Sequence, residues 1–103
     1  MESTRRYPRQ RYGDASGIPV TVVEFGKLER LDLTVRGIDI SDGGIGIESD
    51  IPLAPGFVWF GSPVGPHKGG MIVWGRKVDK NYRAGIQFLP IPLSPRDYLQ
   101  AND

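Results

Sequence analysis

Cysteine is absent from the 103 residues and histidine occurs once. Disulfides and thiolate zinc sites are therefore excluded, and the missing thiols are compatible with a reducing compartment. No apolar run approaches the roughly 20 residues of a membrane-spanning helix, and the N-terminus lacks the apolar segment of a signal peptide. We therefore expect one small, soluble, cytoplasmic domain without membrane insertion.

Net charge is also scarce, but it is unevenly distributed. Thirteen Lys and Arg against twelve Asp and Glu give +1, whereas residues 1–12 alone carry +3. The remaining 91 residues therefore sum to −2, and an acidic body does not suit a long polyanion, which needs an extended basic face. The local arginine cluster predicts a small, multiply charged anion as ligand and no long nucleic acid.

Long amphipathic helices are missing too, and fourteen Gly and nine Pro separate short alternating runs, which is typical of an all-β domain. Residues 18–25 and 31–40 predict two strands, and a change of phase at Gly37 predicts a β-bulge of the kind that closes barrels. A turn at 41–44 precedes a short strand at 45–48.

The C-terminal half is harder to interpret. Residues 50–70 are rich in Gly and Pro, and Phe57-Val58-Trp59-Phe60 is their one plausible strand. Residues 71–74 and 83–89 predict a hairpin around 79–82. Ser94 as N-cap, followed by Pro95, predicts a short helix over 95–101. We divide the chain into an arginine-rich arm, 1–16, and a barrel with a C-terminal helical turn, 17–103.

The sequence contains few candidate catalytic residues. The single histidine, His67, lies in a Pro/Gly-rich loop with no carboxylate nearby, so we expect it to face solvent. Asp39 and Asp42 could pair as acid and base, but nothing predicts a pocket that separates their pKa values. Trp59 and Trp74 are either ligand-stacking aromatics or core residues, and their apolar surroundings favour the core. We expect no enzyme, metal or cofactor.

The arginine arm is the strongest local signal. Arg5 and Arg9 are four residues apart and lie on one side of the chain, and Pro8 favours an extended arm in which they are roughly 13 Å apart. Guanidinium groups bind phosphate bidentately and also match the O6 and N7 acceptors of guanine. The alternative is a solvated basic tail.

A second cluster, Asp39-Ile40-Ser41-Asp42-Gly43-Gly44, follows the second strand. Asp39 and Ser41 are two apart and point to one face; an ionised carboxylate accepts from guanine N1–H and N2–H, and a hydroxyl donates to phosphate or ribose. The glycines leave backbone amides open to close approach. The alternative is an ordinary turn between two strands.

Together, Arg5-Arg6-Tyr7-Pro8-Arg9 as an RxxxR motif and Asp39 to Gly44 as a [D/N]xSxxG motif resemble the PilZ domain family. Residues 71–74 and 82–89 are similar to its later strands. The resemblance implies a six-stranded antiparallel β-barrel with an N-terminal arm and a terminal helix that binds cyclic di-GMP. It also implies roles for its motif residues: Arg5 and Arg9 on phosphates and guanine, Asp39 and Ser41 on guanine and phosphate, Gly44 in the turn, with Arg6 as an additional candidate.

From this we expect a cyclic di-GMP receptor, monomeric or weakly dimeric, whose arm orders on the ligand and signals to an unidentified effector protein. Two other functions stay open. A PilZ-like adaptor would act by protein contact without nucleotide. A small nucleic-acid-binding barrel is disfavoured, because its strands offer few pairs of aromatic and basic residues and its body is acidic.

Overall fold

The computed structural model describes residues 10–12, 17–91 and 94–101. The three candidate arginines Arg5, Arg6 and Arg9 lie outside the described residues. The elements, in chain order, are β1 Gln10–Arg11, β2 Ile18–Glu24, β3 Leu31–Ile40, β4 Gly44–Ser49, β5 Gly56–Val64, β6 His67–Val78, β7 Asn81–Phe88 and α1 Pro95–Ala101.

Six antiparallel strands close into a barrel. Their order is β3, β2, β5, β6, β7 and β4, and β4 pairs back onto β3. The two residues of β1 pair with the edge of β3 that also pairs with β2, at positions beyond the end of β2. The six-stranded antiparallel barrel and the short C-terminal helix predicted from the sequence are confirmed.

The strands alternate between a core face and an outer face, as a half-buried sheet requires. Along β2, Ile18, Val20 and Val22 are buried while Pro19 is exposed. Closing the sheet on itself buries one face without leaving a free edge in the barrel. The residues that fill the interior are almost all aliphatic: Ile18, Val20, Val22, Val35, Ile45, Ile47, Leu53, Val58, Phe60, Val64, Ile72, Ala84 and Ile86.

The bulge predicted at Gly37 is confirmed. The β3–β4 register shifts between Gly37 and Asp39, so two residues of β3 lie where β4 offers one. A bulge adds local bend and twist to a strand. Here it redirects the end of β3, which carries Asp39 and leads into the turn at Ser41.

Residues 50–70 are more regular than the sequence suggested. In place of one short strand, β5 and β6 form a long hairpin whose turn contains Gly65 in the left-handed region (φ 59°). Pro63 is tolerated because the ladder is interrupted between Trp59 and Val64. Gly69 sits where an added Cβ would overlap the Val58 carbonyl oxygen, so its glycine reflects close strand approach rather than a loop.

The helix α1 forms as predicted and covers part of the barrel's outer face. Its N-cap is Ser94, whose Oγ accepts the Asp97 N–H at 3.1 Å. Tyr98 packs against the rings of Phe57 and Trp59, at centroid distances of 5.4 and 5.7 Å. Trp59 is therefore buried, as predicted. No helix among the described residues is long and apolar enough to cross a membrane.

Candidate ligand-binding groove

The β3–β4 turn is held by its own serine. The Gly43 N–H donates to Ser41 Oγ at 3.2 Å, and the Ser41 N–H donates to the Gly44 carbonyl at 2.9 Å. The Gly43 carbonyl in turn accepts the Phe88 N–H at 3.0 Å, which ties the turn to the end of β7. The Ser41 hydroxyl therefore has a structural task in addition to any contact with a ligand.

Gly44 is explained by packing. A Cβ at this position would overlap the Ile86 carbonyl oxygen and would lie 3.3 Å from the carbonyl carbon of the same residue. Because those atoms are backbone, they cannot move aside as a side chain would. A glycine is needed here so that β4 can approach β7 directly after the turn.

An open groove of about 1090 Å³ runs over the outer face of the barrel beside this turn. Asp39, Ser41 and Gly44 all line it, so the predicted barrel residues of the site are brought together. The groove continues across β4 and β7 to β6. Its volume is slightly above the roughly 300–1,000 Å³ that is typical of small-molecule sites.

Four residues in register form the floor and two walls of the groove, and we call them the glycine row. Asp39 pairs with Gly46, Gly46 with Gly85, and Gly85 with Trp74. The next row, which includes Ile45, Ile86 and Ile72, faces the core, so the glycine row faces outward. Three strand spacings separate its ends by up to roughly 14 Å.

Trp74 is 45% exposed, and its prediction as a core residue was wrong. Strict alternation from buried Ile72 would put it in the core. The β6–β7 register shifts between Ile72 and Trp74, so Val73 is bulged and Trp74 turns to the outer face. Its indole lies over Gly85, where an added Cβ would be 2.6 Å from Cε2.

Two arginines line the groove on the same face of the barrel as the tryptophan. The Arg76 guanidinium carbon is 5.7 Å from the centroid of the Trp74 ring, within reach of a cation–π interaction. Arg76 and Arg83 are paired in register on β6 and β7, and both line the groove. Sequence reasoning missed both arginines because neither belongs to a motif. The signal was Arg76 standing two residues after Trp74, on the same face of a strand.

The Glu48 carboxylate lies between two arginines, Arg36 and Arg83. Glu48 Oε1 accepts the Arg36 Nε–H at 3.2 Å, and Asp50 accepts from Arg36 Nη2 at 3.1 Å. These hydrogen bonds, that of Asp50 first, raise the pKa of the Arg36 guanidinium. Arg83 Nε is 3.8 Å from Glu48 Oε2, and it is buried without a hydrogen-bond partner among the described residues.

The family model of the PilZ domain matches residues 3–101. The chain belongs to the PilZ domain family. PilZ domains are generally receptor domains for cyclic di-GMP rather than catalysts. No curated protein matches the chain.

His67 of this PilZ domain is not a solvent-facing loop residue as predicted. It begins β6, is half-buried and stacks on Phe88 with ring centroids 3.7 Å apart and an interplanar angle of 7°. Together with Lys68 it lines the end of the groove nearest the turn. The described residues contain no group of three His, Asp or Glu that could hold a metal ion.

Proposed function

We propose that this PilZ domain binds cyclic di-GMP in the groove and signals to an effector protein through its arm. Arg5 and Arg9 would hold phosphates and the acceptor edge of guanine, with Arg6 assisting. Asp39 would accept from the N1–H and N2–H of guanine, and Ser41 and Gly44 would shape the turn beside it. We expect the domain to act in the cytoplasm, as a monomer or weak dimer.

The observation that carries the proposal is the register of β1 on β3. Gln10 pairs with Ile40, the residue directly before Ser41, and Arg11 pairs with Asp39. Arg9, the last arginine of the first motif, directly precedes Gln10 in the sequence. The arm therefore enters beside the turn that carries the second motif, which supports a single site built from both.

The groove supplies what the two motifs lack. Gly46 adds no side chain to the groove floor, and Gly85 is covered by the Trp74 indole, so a planar base would lie against the indole rather than on the Gly85 backbone. The exposed indole of Trp74 offers a stacking surface, and base stacking on an aromatic side chain contributes about 1–3 kcal/mol. Arg76 and Arg83 add positive charge for a phosphate.

In this proposal the relay is electrostatic. The arm's arginines repel one another, and the ligand's phosphates neutralise them and hold the arm across the groove. An effector then recognises the ordered arm together with the barrel surface beside it. The ligand shifts the arm only by as much as it binds the ordered state more tightly.

The test is calorimetric titration of the purified protein with cyclic di-GMP at fixed salt, with GTP and cyclic di-AMP as controls. We expect selective binding that Arg9→Ala weakens by about 1–3 kcal/mol, or roughly 5- to 150-fold. Arg30→Ala is the charge-matched control, because Arg30 lies in the β2–β3 connection and pairs with Asp32 at the start of β3, far from the groove along the strands. A folded protein that does not bind would favour an adaptor that works by protein contact.

A further inference from the structure

One aromatic side chain joins the arm to the barrel. Tyr12 follows β1 directly, and its ring lies on Gly37: an added Cβ there would overlap Cδ2 and would be 2.8 Å from both Cε2 and Cγ. The Tyr12 N–H donates to the Ile38 carbonyl at 3.0 Å, and the half-buried ring packs against the barrel core. Because Gly37 has no side chain, it leaves a space for the Tyr12 ring, which we call the seat and which the side chain of any other residue would fill.

The pairing of β1 with β3 does not continue the register in which β2 pairs with β3. Ile18 pairs with Val35, and a continuous ladder from that pair would set Arg11 opposite Asp42. Arg11 instead pairs with Asp39. Six residues therefore separate Arg11 from Ile18 along the chain, whereas three separate Val35 from Asp39 on the partner strand. Among the described residues 10–12, β1 pairs two residues with β3, and Tyr12 adds a side-chain contact that can fix their register.

The register of β1 on β3 decides to which side of the sheet the side chains of β1 point. Because side chains alternate along an extended chain, residues of one parity face one side, and a single-residue shift exchanges the two sides. Tyr12 is directed inward onto Gly37 and packs against the core, so a one-residue slip of β1 would remove its ring from this position.

We propose that Tyr12 is the positioning residue of the arm. Packed on Gly37, it sets the register of β1 on β3, and with it the place beside the turn at which the segment that carries the RxxxR motif joins the barrel. The ligand-related part of this inference rests on the proposed function, whereas the anchoring of the arm does not. It adds to the RxxxR motif a contact that lies three residues after its last arginine.

Two measurements on the full chain test this: cyclic di-GMP affinity by calorimetry, and amide hydrogen exchange of peptides that cover residues 1–12. Tyr12→Ala is expected to weaken cyclic di-GMP binding at least tenfold and to accelerate hydrogen exchange of the backbone amide at position 12. Gly37→Ala, which fills the seat, is expected to act the same way. Tyr12→Phe keeps the ring and is expected to stay within about twofold of wild type on both measures.

Tyr82→Ala serves as the matched control, because Tyr82 is half-buried at the start of β7, at the opposite end of the barrel from the turn. It is expected to leave both readouts unchanged. Wild-type affinity and exchange in Tyr12→Ala and Gly37→Ala, with barrels that melt normally, would overturn the inference. If wild type does not bind cyclic di-GMP, the proposed function fails, while the exchange experiment still decides whether Tyr12 anchors the arm.

Discussion

Asp39 and Trp74 face one another along a single transverse row of the barrel surface, separated in register by Gly46 and Gly85. One end of the row offers a hydrogen-bond acceptor, and the other offers an aromatic plane with Arg76 above it. Of the two glycines between them, Gly46 adds no side chain to the row and Gly85 is covered by the Trp74 indole. This arrangement suits a flat, hydrogen-bonding ligand that carries negative charge.

Trp74→Ala tests the aromatic wall. Loss of stacking is expected to weaken cyclic di-GMP binding by about 1–3 kcal/mol, measured by calorimetry. Because the side chain is 45% exposed, the melting temperature is expected to change little. Trp59→Phe, in the aromatic cluster under α1, is the control and should leave the affinity intact. Equal affinity of Trp74→Ala and wild type would remove Trp74 from the site.

Arg83→Gln tests the cation whose Nε has no hydrogen-bond partner among the described residues. In a groove open to solvent its loss is expected to weaken binding by about 1 kcal/mol, or roughly fivefold, and to reduce the dependence of Kd on salt. Glu48 keeps its hydrogen bond from Arg36, so the barrel should stay stable. Lys80→Gln, on the exposed β6–β7 turn, should change neither quantity; an effect equal to that of Arg83→Gln would indicate general charge attraction instead.

Gly44→Ala separates packing from binding. The added Cβ overlaps the Ile86 carbonyl oxygen, so we expect a loss of about 1–3 kcal/mol of unfolding free energy. For a domain of this size, that lowers Tm by at least about 4 °C. Gly61→Ala is the comparison, because its nearest neighbours are side-chain atoms of exposed Pro19 at 3.0 Å. A Gly44→Ala barrel as stable as wild type would contradict this explanation of the motif glycine.

Asp32 is expected to make the stability of the barrel depend slightly on pH in the acid range. The hydrogen bond from Thr21 Oγ1, at 2.6 Å, and then that from Arg30 lower the pKa of the Asp32 carboxyl. A lowered folded-state pKa means that its stabilisation is complete above the unfolded value, about 3.9, and is lost as pH falls through the folded value. The Tm difference between wild type and Asp32→Asn should be constant from pH 7 to 5 and should narrow below about pH 4. The carboxylate is exposed, so the difference is small, and a gap that widens in acid would be the wrong sign.

Local patterns were sufficient for much of the fold. The phase change at Gly37 and the capping residue Ser94 predicted a bulge and a helix start that the structure contains. The β5–β6 hairpin was underestimated because its glycines were interpreted as loop residues. Gly69 and Gly70 are there because neighbouring backbone comes too close for a Cβ, and that depends on strand pairing rather than on local sequence.

The motifs indicated one part of the candidate groove, and strand register decides the rest. Asp39, Ser41 and Gly44 line the groove, and their contacts with a ligand stay predictions. Trp74 faces outward because of a bulge in β6 that its own sequence does not signal, and Arg83 joins the site through its pairing with Glu48 and Arg76. The predictions for Arg5, Arg6 and Arg9 stay predictions, as these residues lie outside the described ones.

The central claim is that cyclic di-GMP binds over the glycine row, and the two tryptophans allow a direct test. Their indole N–H signals can be followed in ¹⁵N–¹H NMR spectra while cyclic di-GMP is added to the full chain. The Trp74 signal is expected to shift and saturate together with the Gly46 and Gly85 amides, while the Trp59 signal under α1 stays in place. Saturable shifts at Trp59 with an unchanged Trp74 signal, or no shifts at all, would contradict the account.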